Sequence, residues 1–256
     1  MVILCGGQGT RMGALTDTVP KPMIEVGGRP LVWHIMKGYA AWGVRRFVLC
    51  LGHRGDVIRA WFLHRRHVSG DVVVGPGDAS SLESAGAEAG WQVTLAETGP
   101  TTTTGGRLLA VRRLLDTDRP TLMTYGDGVA DVDVGALLSH HRSAGRLATV
   151  TAMRARSRFG VLALDGGRVT RFEEKALLSE RVSGGFFALE PGAFDHLRAD
   201  EPLEEGALGR LADAGQLAAY RHDGFWMSVD TPRDLAGLSQ LWERGERPWL
   251  TPRGEP

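Results

Sequence analysis

The chain opens on a three-residue apolar run, Val2-Ile3-Leu4, that stops at Cys5-Gly6-Gly7-Gln8-Gly9-Thr10-Arg11. A run that ends in such a loop constrains the fold strongly. Glycine has no Cβ and tolerates backbone conformations that expose successive N–H groups, and rows of N–H groups form an anion-binding concavity. Arg11 adds a forked, permanently charged donor and Lys21 a compact point charge. The pattern predicts a polyphosphate cradle at the C-terminal end of the first strand of an α/β sheet, the usual ligand position in that class. Two familiar phosphate loops are excluded. There is no G-x-x-x-x-G-K-[ST], and Gly7-x-Gly9 is followed at the third position by Met12, where the dinucleotide fingerprint has Gly or Ala. On the glycines alone, a tight strand-to-helix turn with an incidental arginine is the simpler reading.

The rest of the chain reads as strands and helices in alternation. Gly28–Gly43 carries Leu31, Ile35, Tyr39 and Trp42 on one stripe, with Pro30 suited to a first turn and Gly43 to a stop. Arg46–Leu51 is a buried strand, and a helix follows from Asp56 to about His67. This order predicts a parallel, doubly wound sheet. Val68–Glu88 has no clean period and reads as a long excursion. Trp91–Ala96 is strand-like. Four threonines, Thr101–Thr104, then offer caps to a helix opened by Gly105-Gly106-Arg107, whose N-terminus favours anions. Pro120–Tyr125 is a strand that ends at Gly126-Asp127-Gly128. An Asp in that place suits Mg²⁺, a hard cation that takes oxygen ligands, and equally suits a plain Asp-Gly turn.

Asp133–Ala144 reads as a short helix. Four strand candidates follow, at 147–153, 160–164, 169–173 and 182–189, with turns that predict antiparallel hairpins holding a second substrate. Lys175 stands at one strand end, and Ser183-Gly184-Gly185 within another. Pro191–Leu197 and Glu204–Ala214 read as helical, Gln216–His222 as a strand, and Arg233–Glu243 as a helix for which Asp230 is a good N-cap. The simplest organisation is one domain over 1–256: a part with the phosphate cradle to about 145, a hairpin-bearing part for a second substrate over 146–230, and a C-terminal helix and arm over 231–256.

Composition removes several classes. Among 256 residues, Lys plus Arg equals Asp plus Glu at 30 each, so the basic excess of a general nucleic-acid binder is missing. The two cysteines, Cys5 and Cys50, form no C-x-x-C pair and no disulfide framework. No leader-like segment and no membrane-length apolar stretch is present, so the default expectation is a cytoplasmic protein without a membrane partner. Only Lys21, Lys37 and Lys175 among the 30 basic residues are lysines, and asparagine is absent. In a chain so biased toward arginine, a retained lysine marks a place that needs a small ammonium.

Taken whole, GGQGTR followed by KPM resembles the signature of the sugar-1-phosphate nucleotidyltransferases. The chain is similar to the cytidylyltransferase subgroup acting on glucose 1-phosphate at KPMIEVGGRPLVWHIMK, YGDGVADVD, SGGFFAL, GFWMSVDTPRD and LWERGERPW. The resemblance implies a nucleotide-diphospho-sugar transferase fold: a mostly parallel, mixed Rossmann-like sheet with an added antiparallel sugar-binding part. It implies CTP and a sugar 1-phosphate as substrates, pyrophosphate as product, Mg²⁺ as cofactor and a homo-oligomer.

Carried over by motif, Arg11 and Lys21 are catalytic. Gly6, Gly7, Gly9 and Thr10 join them in holding the nucleotide, as do Thr104, Gly105, Arg107 and Gly126. Asp127, Lys175, Ser183, Gly184 and Gly185 border the sugar phosphate, and Asp127 with Asp230 holds the metal. The sequence departs from the family where E-K-P becomes Glu174-Lys175-Ala176 and where Ser183 replaces an Asn of N-G-G-F-F. A serine has one hydroxyl where the amide has two donors and an acceptor. Another sugar or a cyclitol phosphate is therefore an alternative acceptor, and another triphosphate an alternative donor. A non-catalytic nucleotide-sugar sensor is the alternative from outside enzymes. Retention of Arg11, Lys21, Asp127 and Asp230 argues against it.

Overall fold

The computed structural model describes every residue except 10, 11, 14, 69–89, 158 and 251–256. Thr10 and Arg11 of the predicted cradle, nearly all of the 68–88 excursion and the end of the C-terminal arm lie outside the described residues.

The strand β1 (Val2–Leu4) is the pivot of the sheet. It pairs in parallel with β4 (Arg46–Leu51) on one side and with β6 (Thr121–Tyr125) on the other. Beyond β4 lies β5 (Gln92–Glu97), also parallel. β1, β4 and β6 are buried almost throughout, which explains their apolar runs, whereas β5 at the sheet edge alternates polar and apolar residues and stays partly exposed. Ile3, Leu49 and Leu51 face a core shared with the helix α2 (Leu31–Ala41). Val2, Leu4, Val48 and Cys50 face a second core with Leu108, Met123 and Phe187. Between β1 and α2 come the short helix α1 (Leu15–Thr18) and a small ribbon, β2 (Glu25–Val26) with β3 (Arg29–Pro30). The predicted helix over 28–43 is thus shorter: Pro30 is its N-cap, and Gly43, at φ +83°, turns the chain out.

The helix α3 (Gly55–Val68) connects β4 toward β5, and α4 (Thr104–Val111) connects β5 to β6. Thr103 caps α4 by accepting from the Gly106 N–H. After β6 a three-residue strand, β7 (Gly128–Ala130), leads to α5 (Val134–Ala144), capped by Asp133.

The second half extends the same sheet. Long strands β8 (Ala148–Arg156) and β11 (Leu177–Leu189) pair antiparallel, and β11 also runs antiparallel to β6. Between them in sequence, β9 (Val161–Asp165) and β10 (Arg168–Glu173) pair only with each other, as the predicted hairpin. The predicted helix over 204–214 divides into a π-helical turn, Leu203–Ala207, and α6 (Leu208–Asp213). Strand β12 (Leu217–His222) closes the sheet, parallel to β8. The order is β12-β8-β11-β6-β1-β4-β5, with β11 the single antiparallel member. The expected mixed, mostly parallel sheet is borne out. A further strand, β13 (Trp226–Ser228), pairs antiparallel with β7 in a ribbon separate from the main sheet. The helix α7 (Pro232–Glu243) follows. The chain after it folds back as a turn over Pro248–Leu250, where the Trp249 indole N–H donates to His34 Nδ1 at 3.2 Å. Strand order reverses at β1, with β4 added on one side and β6 on the other, so the carboxyl ends of β1 and β6 open the crevice where α/β sheets hold ligands.

Candidate active site

Two adjoining cavities occupy that crevice. The first, about 390 Å³, lies among the ends of β1 and β6, the start of α4 and the Leu203–Ala207 turn; Gly6, Gly7, Gly9, Lys21, Arg107 and Gly126 line it. The second, about 400 Å³, lies between β11 and the β7–β13 ribbon, where Ser183, Gly184, Gly185, Trp226 and Asp230 line it. Both are of the size that holds a small ligand. Tyr125 and Asp127 border both. Of the predicted nucleotide residues, Gly6, Gly7, Gly9, Lys21, Thr104, Arg107 and Gly126 line the first cavity; of the predicted sugar residues, Ser183, Gly184 and Gly185 line the second.

The floor of the first cavity is built by Arg107. Its Nη1 donates to the carbonyls of Leu51 and Gly99 at 2.9 and 2.8 Å and to the Thr98 hydroxyl at 2.7 Å; its Nη2 donates to the Gly6 carbonyl at 3.1 Å. This buried guanidinium thus ties three β-strand ends together, although it was expected to serve the nucleotide directly. Two glycines make room for it. A Cβ at Gly6 would sit 2.2 Å from the guanidinium carbon, and one at Gly52 would sit 2.4 Å from Nη1. Gly9, at φ +66°, takes the left-handed turn that bends the loop back toward Lys21.

The second group of residues is ionic. Lys21, in a 3-10 turn over Lys21–Met23 that packs against α2, is 8% exposed. Its ammonium lies 2.6 Å from Asp230 Oδ1 and 3.4 Å from Asp127 Oδ2. The β7–β13 ribbon makes this possible. Asp127 precedes one strand and Asp230 follows the other, and the Val229 N–H donates to the Asp127 carbonyl at 2.8 Å. Burial raises the Asp127 carboxyl above its usual range; the Lys21 charge opposes that rise and the Asp230 charge adds to it. Asp230 is not the N-cap of α7. Thr231 is, in a capping box with Asp234, and the Asp230 carboxylate instead accepts from the Lys21 ammonium and the Ser228 hydroxyl.

Two hard carboxylates at one point suit Mg²⁺, which commonly takes one or two carboxylates and completes its shell with substrate oxygens and water. No group of three or more His, Cys, Asp or Glu side chains placed to hold a metal ion occurs among the described residues.

Not every predicted residue is brought in. Lys175 lies at the end of the free hairpin, exposed and in a left-handed conformation at φ +54°, and lines neither cavity. The Gly184-Gly185 turn does line the second cavity, and its glycines are required: a Cβ on Gly184 would lie 2.3 Å from Met153, and one on Gly185 2.6 Å from the Tyr125 ring. Sequence reasoning missed Thr102, Tyr125, Glu204, Trp226 and Ser228 as lining residues. Tyr125, Trp226 and Ser228 stand inside the YGDGVADVD and GFWMSVDTPRD strings, where the carboxylates drew the reading. Tyr125 reaches the cleft from the end of β6, Thr102 from the loop before α4, Trp226 and Ser228 from β13, and Glu204 from the turn that precedes α6.

The sequence that builds this site is matched by a family model. The model, described as nucleotidyl transferase, covers residues 1–244. The chain belongs to the nucleotidyl transferase family. The sugar-phosphate nucleotidyltransferase resemblance stated from the motifs is borne out, and the protein is an enzyme of that kind. It is 41% identical over 252 residues to the glucose-1-phosphate cytidylyltransferase of Salmonella typhi, with 98% of each chain covered. The enzyme of the same name from Salmonella typhimurium is equally similar, at 41% over 252 residues and 98% of each chain. A UDP-glucose pyrophosphorylase solved with UDP-glucose shares the fold at a TM-score of 0.68 and 16% identity, covering 95% of this chain and 98% of that one.

Proposed function

We propose that this nucleotidyltransferase moves CMP from CTP to a sugar 1-phosphate, glucose 1-phosphate foremost, releasing pyrophosphate and a CDP-sugar. The observation that carries the reading is the Asp127–Lys21–Asp230 cluster at the junction of two cavities, each sized for one substrate. The similarity to cytidylyltransferases over 98% of the chain supports the choice of base and sugar.

In this mechanism the nucleotide occupies the first cavity, its phosphates against the N–H groups of Gly7 and Gly9, with Thr104 and Gly126 as its further walls and Gly105 packed behind against the Glu201 carbonyl. Arg107 holds that loop in shape from beneath. Arg11 and Lys21 neutralise charge that develops on the triphosphate as pyrophosphate departs. The sugar phosphate occupies the second cavity against Ser183, Gly184 and Gly185, with its phosphate oxygen in line with the α-phosphate. No protein base is needed, because a phosphate dianion is already ionised near neutral pH. Asp127 and Asp230 would hold Mg²⁺, which when bound polarises phosphoryl oxygens and neutralises their charge. Lys175 would act at the sugar phosphate only after the hairpin bends toward the cleft.

We also infer a homo-oligomer. The β9–β10 hairpin and its flanks expose Phe159, Val161, Leu162, Leu164, Val169 and Phe172, between 41% and 79% each. Such an apolar arm calls for a partner surface. No helix among the described residues is long and apolar enough to cross a membrane.

The deciding experiment crosses the five common nucleoside triphosphates with glucose 1-phosphate and other sugar and cyclitol phosphates, with Mg²⁺ and with EDTA, and reads pyrophosphate release. Turnover with CTP and glucose 1-phosphate bears out the reading. CTP turnover with another acceptor keeps the chemistry and assigns the change to Ser183 and Ala176. No Mg²⁺-dependent release with any pair overturns it.

A further inference from the structure

The first cavity carries one carboxylate that no cation balances among the described residues. Glu204 sits in the π-helical turn Leu203–Ala207, whose Leu203 is 1% exposed and anchors it in the core. Two neutral hydroxyls hold its carboxylate. Tyr125 donates to Oε1, and Thr104 donates to Oε2 at 2.7 Å while accepting from the Leu203 N–H at 2.8 Å. The turn is locked against α4: a Cβ at Gly105 would lie 2.7 Å from the Glu201 carbonyl oxygen. Burial and the neighbouring carboxylate both raise the Tyr125 phenol, so it stays a donor. The Thr104 hydroxyl, expected to touch the nucleotide, is occupied at this bridge.

The other ionic groups that line the cavity are already engaged, Asp127 with Lys21 and Arg107 with carbonyls. A carboxylate with no cation against it among the described residues disfavours phosphate, so the wall formed by Thr102, Thr103, Pro202 and Glu204 is a poor place for the triphosphate. It suits a ligand edge that presents N–H donors. A carboxylate accepts well from an exocyclic amine and meets repulsion from a carbonyl oxygen in the same place.

We propose that Glu204, oriented by Tyr125 and Thr104, is the residue that selects an amino-bearing pyrimidine over its keto counterpart by accepting a hydrogen bond from the exocyclic amine. This rests on the cytidylyltransferase reading and extends it to a specificity-determining residue.

The test measures kcat/KM for CTP and UTP at saturating glucose 1-phosphate and Mg²⁺, for wild type, Glu204→Gln and Tyr125→Phe. A glutamine can turn a donor toward a keto oxygen. The CTP-to-UTP preference should therefore fall about tenfold or more in Glu204→Gln, mainly through KM. It should fall in the same direction and by less in Tyr125→Phe. Equal loss with both nucleotides, or an unchanged ratio, overturns the proposal while wild-type CTP turnover leaves the function intact. A loss that separates CTP from 2′-deoxy-CTP, with the base preference unmoved, reassigns Glu204 to the ribose and overturns it too. Wild type that turns over no CTP overturns the function instead. Equilibrium binding of CTP and UTP to the same three proteins then decides Glu204 alone: a narrowed preference on Glu204→Gln supports it, and an unchanged one, or no binding of CTP, overturns it.

Discussion

Lys21 Nζ lies 2.6 Å from Asp230 Oδ1, across 209 positions of sequence. The same ammonium is 3.4 Å from Asp127. One buried cation thus separates two carboxylates that would otherwise repel each other at the mouth of both cavities.

Replacing Lys21 by Met exposes that repulsion. The sign follows from Asp127, whose carboxyl is already raised in the folded protein. A carboxyl with a raised folded pKa costs stability above its unfolded value, and the cost disappears as pH falls through the folded value. Without Lys21 the rise grows. The variant should therefore be destabilised at pH 8 by about 2 kcal/mol, less than a fully buried pair because the Asp127 side chain is 32% exposed. The deficit should shrink on acidification through the carboxylate range, and Mg²⁺ should reduce it at pH 8. Chemical denaturation at several pH values checks this; a deficit independent of pH would remove the ionic explanation.

Asp127→Asn and Asp230→Asn should fold normally and lower Mg²⁺-dependent pyrophosphate release by about 100-fold or more. Thermal melts with and without Mg²⁺ supply the independent readout. Wild type should gain Tm on addition of Mg²⁺, and each variant should lose that shift.

The same raised carboxyl predicts the acid limb of activity. The proposed metal role for Asp127 requires its ionised form, so turnover should fall with decreasing pH at a higher point than an ordinary aspartate would set. More Mg²⁺ favours the ionised form and should move that limb to lower pH. A limb insensitive to Mg²⁺ concentration would assign it to another group.

Arg107→Lys is not a conservative change. One ammonium cannot reproduce donors to the Gly6, Leu51 and Gly99 carbonyls and the Thr98 hydroxyl. The expected loss is about 3 kcal/mol of stability, since buried acceptors are left unpaired. KM for the nucleotide should rise as the Gly6–Gly9 loop loosens. Urea denaturation with steady-state kinetics measures both.

Gly185→Ala combines a strained backbone at φ +79° with a Cβ 2.6 Å from the Tyr125 ring. It should cost about 2 kcal/mol and raise KM for both substrates, because Tyr125 borders both cavities. An effect confined to one substrate would mean that the ring does not couple the compartments.

The sequence alone determined the sheet's strands and the loop after β1. Buried parallel strands are continuous apolar runs, and Arg46–Leu51 appears in the structure with the boundaries read from it. Glycine loops and lone carboxylates at strand ends mark themselves in the same local way, as Gly6, Asp127 and Asp230 did. Tertiary structure alone decided what these residues face. A three-residue strand such as β13 carries too few residues for a period, yet its pairing with β7 is what brings Asp230 to Lys21 and leaves Thr231 to cap α7. Arg107 reads as a ligand-facing cation until the carbonyls around its guanidinium are in place, and Lys175 stays with a hairpin that pairs only with itself. Local pattern records which face of an element is buried; the partner of a charged side chain is set by backbone brought near from elsewhere in the chain.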